Sequence, residues 1–230
     1  MTVERLAGGI FETIHLDQSI TYTSSVEAHE VDVQSGSVVI EGRLNAPYLV
    51  NAGEVEITST LETTHLTNQK EAYLKVTDDV VAQTINNAGI LELGAHCQAE
   101  TIESTGQLQA AGTIEAASVR LEGVLQLHDV RADQLNIIVT HNGSAEYLTA
   151  SDINITAKRE ALIFKDHDHS LKIDEIDGGH VYVENIIADL VRGDQVTIGP
   201  NCTIKVVEYT EDFKLDDQSD VLELGKITRD

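Results

Sequence analysis

Ala88-Gly89-Ile90-Leu91-Glu92-Leu93, Thr105-Gly106-Gln107-Leu108-Gln109-Ala110 and Glu122-Gly123-Val124-Leu125-Gln126-Leu127 share one frame: a turn residue, Gly, any residue, then apolar, polar, apolar. Their starts lie 17 residues apart. Self-similarity at a fixed short period marks a chain that stacks one supersecondary unit on another. This is the sequence of a repeat protein.

The frame recurs on both sides, at Asp17–Tyr22, Ser35–Ile40, Ala52–Ile57, Glu71–Val76, Asn142–Tyr147, Arg159–Phe164, Gly178–Val183 and Gly193–Ile198. Spacings run from 15 to 20 residues, and the irregular gaps mark corners that gain or lose residues. About eleven rungs follow, with insertions at loops as repeat logic expects. Each rung carries three short alternating pieces, such as Leu108/Ala110, Ile114/Ala116 and Val119/Leu121. Period-2 alternation over short runs means strands with one face inward, bent at corners. The apolar spacing is 2 rather than 3.6, and Gly or Asn interrupts the chain too often for long helices. The expected fold is therefore all-β, a β-helix (β-solenoid) of about 17 residues and three short strands per rung. Its expected limits are a lead-in over 1–16, the solenoid over 17–207, and a cap, tail or irregular last rung over 208–230.

The 230 residues include no Trp and three Phe, so small and branched side chains must fill the core. Fifteen Lys+Arg against 39 Asp+Glu give a formal charge of −24, which repels phosphate backbones and anionic headgroups. Nucleic acid is excluded as a partner on this ground. Met1–Ile10 holds Glu4 and Arg5 and no long apolar run, which predicts neither signal peptide nor membrane insertion and points to the cytoplasm.

Candidate chemistry is sparse. Cys97 and Cys202 share the spacing of their local segments, Leu93–Ala99 and Ile198–Ile204, which predicts equivalent inward slots about six rungs apart. That is roughly 29 Å at ~4.8 Å per rung, too far for a disulfide. Asp166-His167-Asp168-His169 is the most metal-like cluster, since alternation puts both imidazoles on one face. It has no third anchored ligand and reads as a solvated corner. No P-loop, HExxH or triad spacing occurs. No catalytic, metal or cofactor site is expected. A solenoid enzyme, acyltransferase-like or sugar-acting, and a monomeric binding module are the alternatives.

Gly178-Gly179-His180-Val181-Tyr182-Val183-Glu184-Asn185, Val191-Arg192-Gly193-Asp194, Val196–Cys202 and Val206–Thr210 resemble the C-terminal part of bactofilin-type polymer-forming cytoskeletal proteins of Gram-positive bacteria. The family's Gly-Pro-Gly-Cys is here Gly199-Pro200-Asn201-Cys202, with Asn at a position where a left-handed backbone is tolerable. The resemblance implies a right-handed β-helix that polymerises end to end without nucleotide. It also implies a scaffold for cell-envelope, cell-shape or motility machinery, with membrane association only through partners. The expected partner is the chain itself, as a homopolymer or homo-oligomer joined through rod ends. Ile10, Ile14, Leu16, Ile20 and Tyr22 at the less charged N-terminal end are the expected contact residues.

Overall fold

The computed structural model describes residues 3–158 and 169–228. All 21 regular elements among them are strands, paired in parallel. They stack as a β-solenoid of about 13 turns, successive turns about 17 residues apart. The chain divides into two compact units, Met1–Ala116 and Ala117–Asp230.

Unit 1 is built from three parallel ladders. The first stacks Glu4–Leu6, Ile20–Tyr22, Ser37–Ile40, Glu54–Ile57, Tyr73–Val76 and Ile90–Leu93, then the start of Gln107–Val139. The second passes from Gly9–Phe11 through Val26, Leu44, Leu61 and Val80 to Cys97. The third runs from Ile14 through Val31, Leu49, Leu66 and Ile85 to Ile102. Alternation decides which side chains enter: Leu74, Leu91 and Leu108 share one inward column and are fully buried. Burying each such side chain contributes about 1.5–3 kcal/mol, and the columns repeat it rung by rung.

The frame's glycine has a steric cause. A Cβ on Gly106 would lie 2.1 Å from the carbonyl oxygen of Gly89, the equivalent glycine one rung below. Successive corners stack backbone on backbone there, leaving no room for a side chain. The longer gap between Val55 and Leu74 is taken up at Glu71, whose φ is 67°.

Unit 2 keeps the architecture but changes the register that the frame predicts. Ala145 stands opposite Leu127 instead of Leu125. Val181 and Val196, read as the same frame position as Leu125, stack instead on Ile153 and thus on Leu135, in the third ladder. Ile186/Ala188, read as a second or third piece, pair with Leu171/Ile173 in the first ladder. The physical reason is rung length: the partners Ala145 and Ile173 are 28 residues apart and Ile173 and Ala188 only 15, so Gly-x-apolar-x-apolar falls on the third face instead of the first. The Arg159–Phe164 frame lies outside the described residues.

The N-terminal end differs from expectation, and the C-terminal end takes one of the expected forms. Residues 4–16 are a full rung paired to the next, not a lead-in. Thr203–Leu215 and Asp220–Lys226 continue the stack, with one irregularity opposite Gly193–Gln195. The described part of this segment, 208–228, therefore contributes an irregular last rung, and these terminal rungs raise the count from eleven to about 13.

Candidate functional site

A stacked strand has two hydrogen-bonding edges, and only the first and last turns lack a neighbour on one of them. In unit 1, among the described residues, Glu4–Leu6 pairs with Ile20–Tyr22 alone and Gly9–Leu16 with Val26–Val33 alone. Leu6 and Phe11 point inward like Tyr22 and Ala28 in the next turn, yet they are 37% and 36% exposed where Tyr22 and Ala28 are buried. Ile10 points outward and is 81% exposed, and Val3 is also exposed. Phe11 meets Tyr22 edge to face at 5.9 Å. Burial, with Glu4 adding to it, raises the Tyr22 phenol above its ordinary range. Arg5 is tied to Glu41 at 2.9 Å, and Glu4 and Glu12 are the carboxylates of this stretch.

In unit 2, Asp220–Lys226 pairs with Thr203–Leu215 alone among the described residues. Leu224, above buried Val207, and Leu215, above buried Ile198, are exposed, as is Leu222 on the outward side. Tyr209 and Phe213 stack at 5.6 Å on the same turn, with Lys226 5.7 Å from the Tyr209 ring centre. Asp212, Asp216, Asp217, Asp220 and Glu223 lie in the same stretch of chain. Each edge thus offers backbone donors and acceptors together with apolar side chains.

Of the five residues expected at the contact, only Ile10 is exposed. Ile14, Leu16, Ile20 and Tyr22 are core, at 4–6% exposure, because the alternation turns each inward and Glu4–Leu6 covers Ile20 and Tyr22. The accessible apolar groups are instead Val3, Leu6, Ile10 and Phe11. The signal that could have found them is the alternation continued one turn further back, with Leu6 and Phe11 in phase with Tyr22 and Ala28.

Both thiols are free and buried. They do not occupy equivalent slots: Cys97 follows Val80 in a second ladder, whereas Cys202 immediately precedes Thr203, which pairs with Ile187 in a first ladder. Burial pushes the Cys97 thiol up to about 12. Burial also raises Cys202, opposed by hydrogen bonds from the Ile186 and Asn185 backbones and Ser219. Neither is a ready nucleophile at neutral pH. Residues 166–168 of the Asp-His cluster lie outside the described residues. Among those described, no three His, Cys, Asp or Glu are gathered to hold a metal ion, and no helix is long and apolar enough to cross a membrane.

Two buried polar features were not anticipated. In unit 1, Asn51, Asn68, Asn87 and Ser104 form an inward ladder, each Asn amide donating to the next side chain at 2.8–2.9 Å. The same amides donate to the carbonyls of Tyr73, Ile90 and Gln107, tying the third ladder to the first. In unit 2, buried Glu184 accepts from the Tyr182 hydroxyl at 2.5 Å and the Ala157 N–H at 2.9 Å. Beside it Asn185 and Asn201 adopt φ of 53° and 59°, and the Asn201 amide donates a hydrogen bond to Asn185 Oδ1 at 3.2 Å. Asn201 thus takes the left-handed conformation expected of it.

No family model and no solved structure matches the chain. A protein of Bacillus subtilis (strain 168) named Uncharacterized protein YhbF is 41% identical over 73 residues, which is 32% of this chain. The matched part spans 31% of that relative's length.

Proposed function

We propose that this protein is a non-catalytic scaffold that assembles with copies of itself through the open strand edges of its first and last turns, without nucleotide, in the manner of bactofilins. The observation that carries this reading is the uncovering of inward-phase side chains, Leu6 and Phe11 in unit 1 and Leu215 and Leu224 in unit 2, beside unpaired strand edges. A second copy's edge can satisfy both needs at once, by β-augmentation with apolar contact. Exposed edges of this kind are ordinarily blunted or covered in monomeric proteins. The bactofilin resemblance and the absence of a P-loop motif agree with assembly that uses no nucleotide. Cell-envelope, cell-shape or motility machinery is the class of cargo that the resemblance suggests.

The test is multi-angle light scattering and negative-stain imaging of the full chain and of a Leu6→Lys, Phe11→Lys double variant. The parent is expected to form elongated oligomers and the variant to lose them while keeping its melting temperature within a few degrees. A parent that stays monomeric at every salt and protein concentration removes the reading.

A further inference from the structure

The outward side of the third ladder in unit 2 carries two columns of polar side chains. Gln134, Asp152, His180 and Gln195 stand in one, and Asn136, Asn154, Tyr182 and Thr197 in the other, each opposite its counterpart in the next turn. They line a groove of 380 Å³. A second hollow of 530 Å³ shares Asp152 and His180 with it and continues round the bend at Gly178 and Gly179. The groove walls are held in place. His180 Nδ1 lies 3.1 Å from Asp152 Oδ1, the Gln195 amide donates to Glu211 at 2.9 Å, and the Tyr182 ring is anchored through its hydroxyl on buried Glu184.

We propose that this groove binds an extended, uncharged, β-linked glycan lying along the stacking direction of the strands. The lining is rich in amides and hydroxyls, which donate and accept at once, as sugar hydroxyls do. It contains no Lys or Arg and one carboxylate, and its two apolar residues, Ile153 and Val181, are buried with their side chains inward. That set suits neither a polyanion, which the chain's charge of −24 also repels, nor a lipid or apolar peptide. The side chains repeat every ~4.8 Å, and an extended β-linked pyranose chain advances by about that distance per sugar. Each sugar therefore meets one pair of side chains, Gln134/Asn136, Asp152/Asn154, His180/Tyr182 or Gln195/Thr197, at an equivalent position in successive turns. A rigid lining of this kind loses little conformational freedom on binding. The inference stands apart from self-assembly, because the groove lies on outward strand faces and not on an open edge.

Isothermal titration of the full chain with cellotetraose, chitotetraose and maltotetraose tests it. Binding of one or both β-linked tetrasaccharides at millimolar affinity or better is expected, with the α-linked maltotetraose at least several-fold weaker. Gln134→Ala and Thr197→Ala should each weaken binding about fivefold, the worth of one net hydrogen bond, without moving the melting temperature. Three results would overturn the assignment: no β-linked binding at millimolar sugar, preference for the α-linked sugar, or binding unchanged in a Gln134→Ala, Asn136→Ala, Thr197→Ala triple variant.

Discussion

Replacing Asn68 by Ala tests the internal asparagine ladder at its most connected point. The Asn68 carbonyl accepts from the Asn51 amide at 2.9 Å, and its own amide donates to Asn87 Oδ1 at 2.8 Å and to the Ile90 carbonyl at 2.9 Å. Asn51, Asn68 and Asn87 are all buried, so water cannot readily replace what is lost. The substitution removes three hydrogen bonds, each worth about 1 kcal/mol net, and leaves one Asn51 amide N–H without its acceptor and the Asn87 oxygen and the Ile90 carbonyl short of a donor, which adds about 1–3 kcal/mol. A loss of about 4–6 kcal/mol is expected, a large fraction of the ~5–15 kcal/mol that holds a typical domain. Outward Thr67→Ala on the same strand should stay within about 0.5 kcal/mol.

Urea denaturation followed by circular dichroism measures both variants. Hydrogen exchange locates the damage, because stability in stacked repeats is a sum of local and nearest-neighbour contributions. Amides of the turns holding Asn51, Asn68 and Asn87 should lose protection first. If Asn68→Ala costs less than about 1 kcal/mol, the ladder is not a stabilising element and the reasoning fails.

Leu108→Asp places an unpaired carboxylate in the column of Leu74 and Leu91 and should cost several kcal/mol by thermal melting. Native Cys97 and Cys202 should react slowly with a thiol reagent and quickly once unfolded; rapid native labelling of Cys97 would contradict its burial. Burial raises the Cys97 thiol from 9.0 to about 12, so only the unfolded chain ionises it in that window. Its contribution to stability should be complete below pH 9.0 and decline as pH rises towards 12, and a Cys97→Ala variant should lack that share of the decline. Arg192 bridges Glu208 at 2.8 Å, Glu175 at 3.3 Å and Asp177 at 3.5 Å. Arg192→Ala should cost about 1 kcal/mol, more in low salt than in high, since the group is partly exposed and screened.

The ladder fold was legible because alternation and the glycine frame have direct steric causes, seen at Gly106 above Gly89. The frame does not identify the face it lies on. Val181 and Leu91 look alike in sequence, yet one sits in a third ladder and the other in a first, because rung length and not local pattern decides which face comes next. The asparagine ladder carried a readable signal in Leu49-Val50-Asn51, Leu66-Thr67-Asn68 and Ile85-Asn86-Asn87, three apolar-x-Asn endings in register. A polar residue at an inward position reads as an error until its partner one turn away is seen. The edge residues were misplaced for a related reason: apolar character located the right segment, but parity and the covering strand Glu4–Leu6 determine which of its side chains are accessible.

The two open edges differ in charge, and that difference constrains how copies can meet. Residues 3–16 carry Glu4, Arg5 and Glu12, with Arg5 held by Glu41. Around the last turn, Asp212, Asp216, Asp217, Asp220 and Glu223 outnumber Lys214 and Lys226. A contact between two last-turn edges brings more like charge together than one involving a first-turn edge, which carries only Glu4 and Glu12 beside the paired Arg5. Screening shortens the Debye length from ~8 Å at physiological ionic strength to ~3 Å at 1 M, which weakens the first kind of repulsion and hardly alters apolar contact. At low salt, assembly should therefore depend on the first-turn edge, and Leu6→Lys with Phe11→Lys should abolish it. At high salt, Leu222→Lys with Leu224→Lys should become the more damaging pair if last-turn edges also join. Light scattering of both double variants across a salt series separates these cases. Equal sensitivity of both pairs at low salt would mean that a first-turn edge docks on a last-turn edge, giving a contact of one polarity.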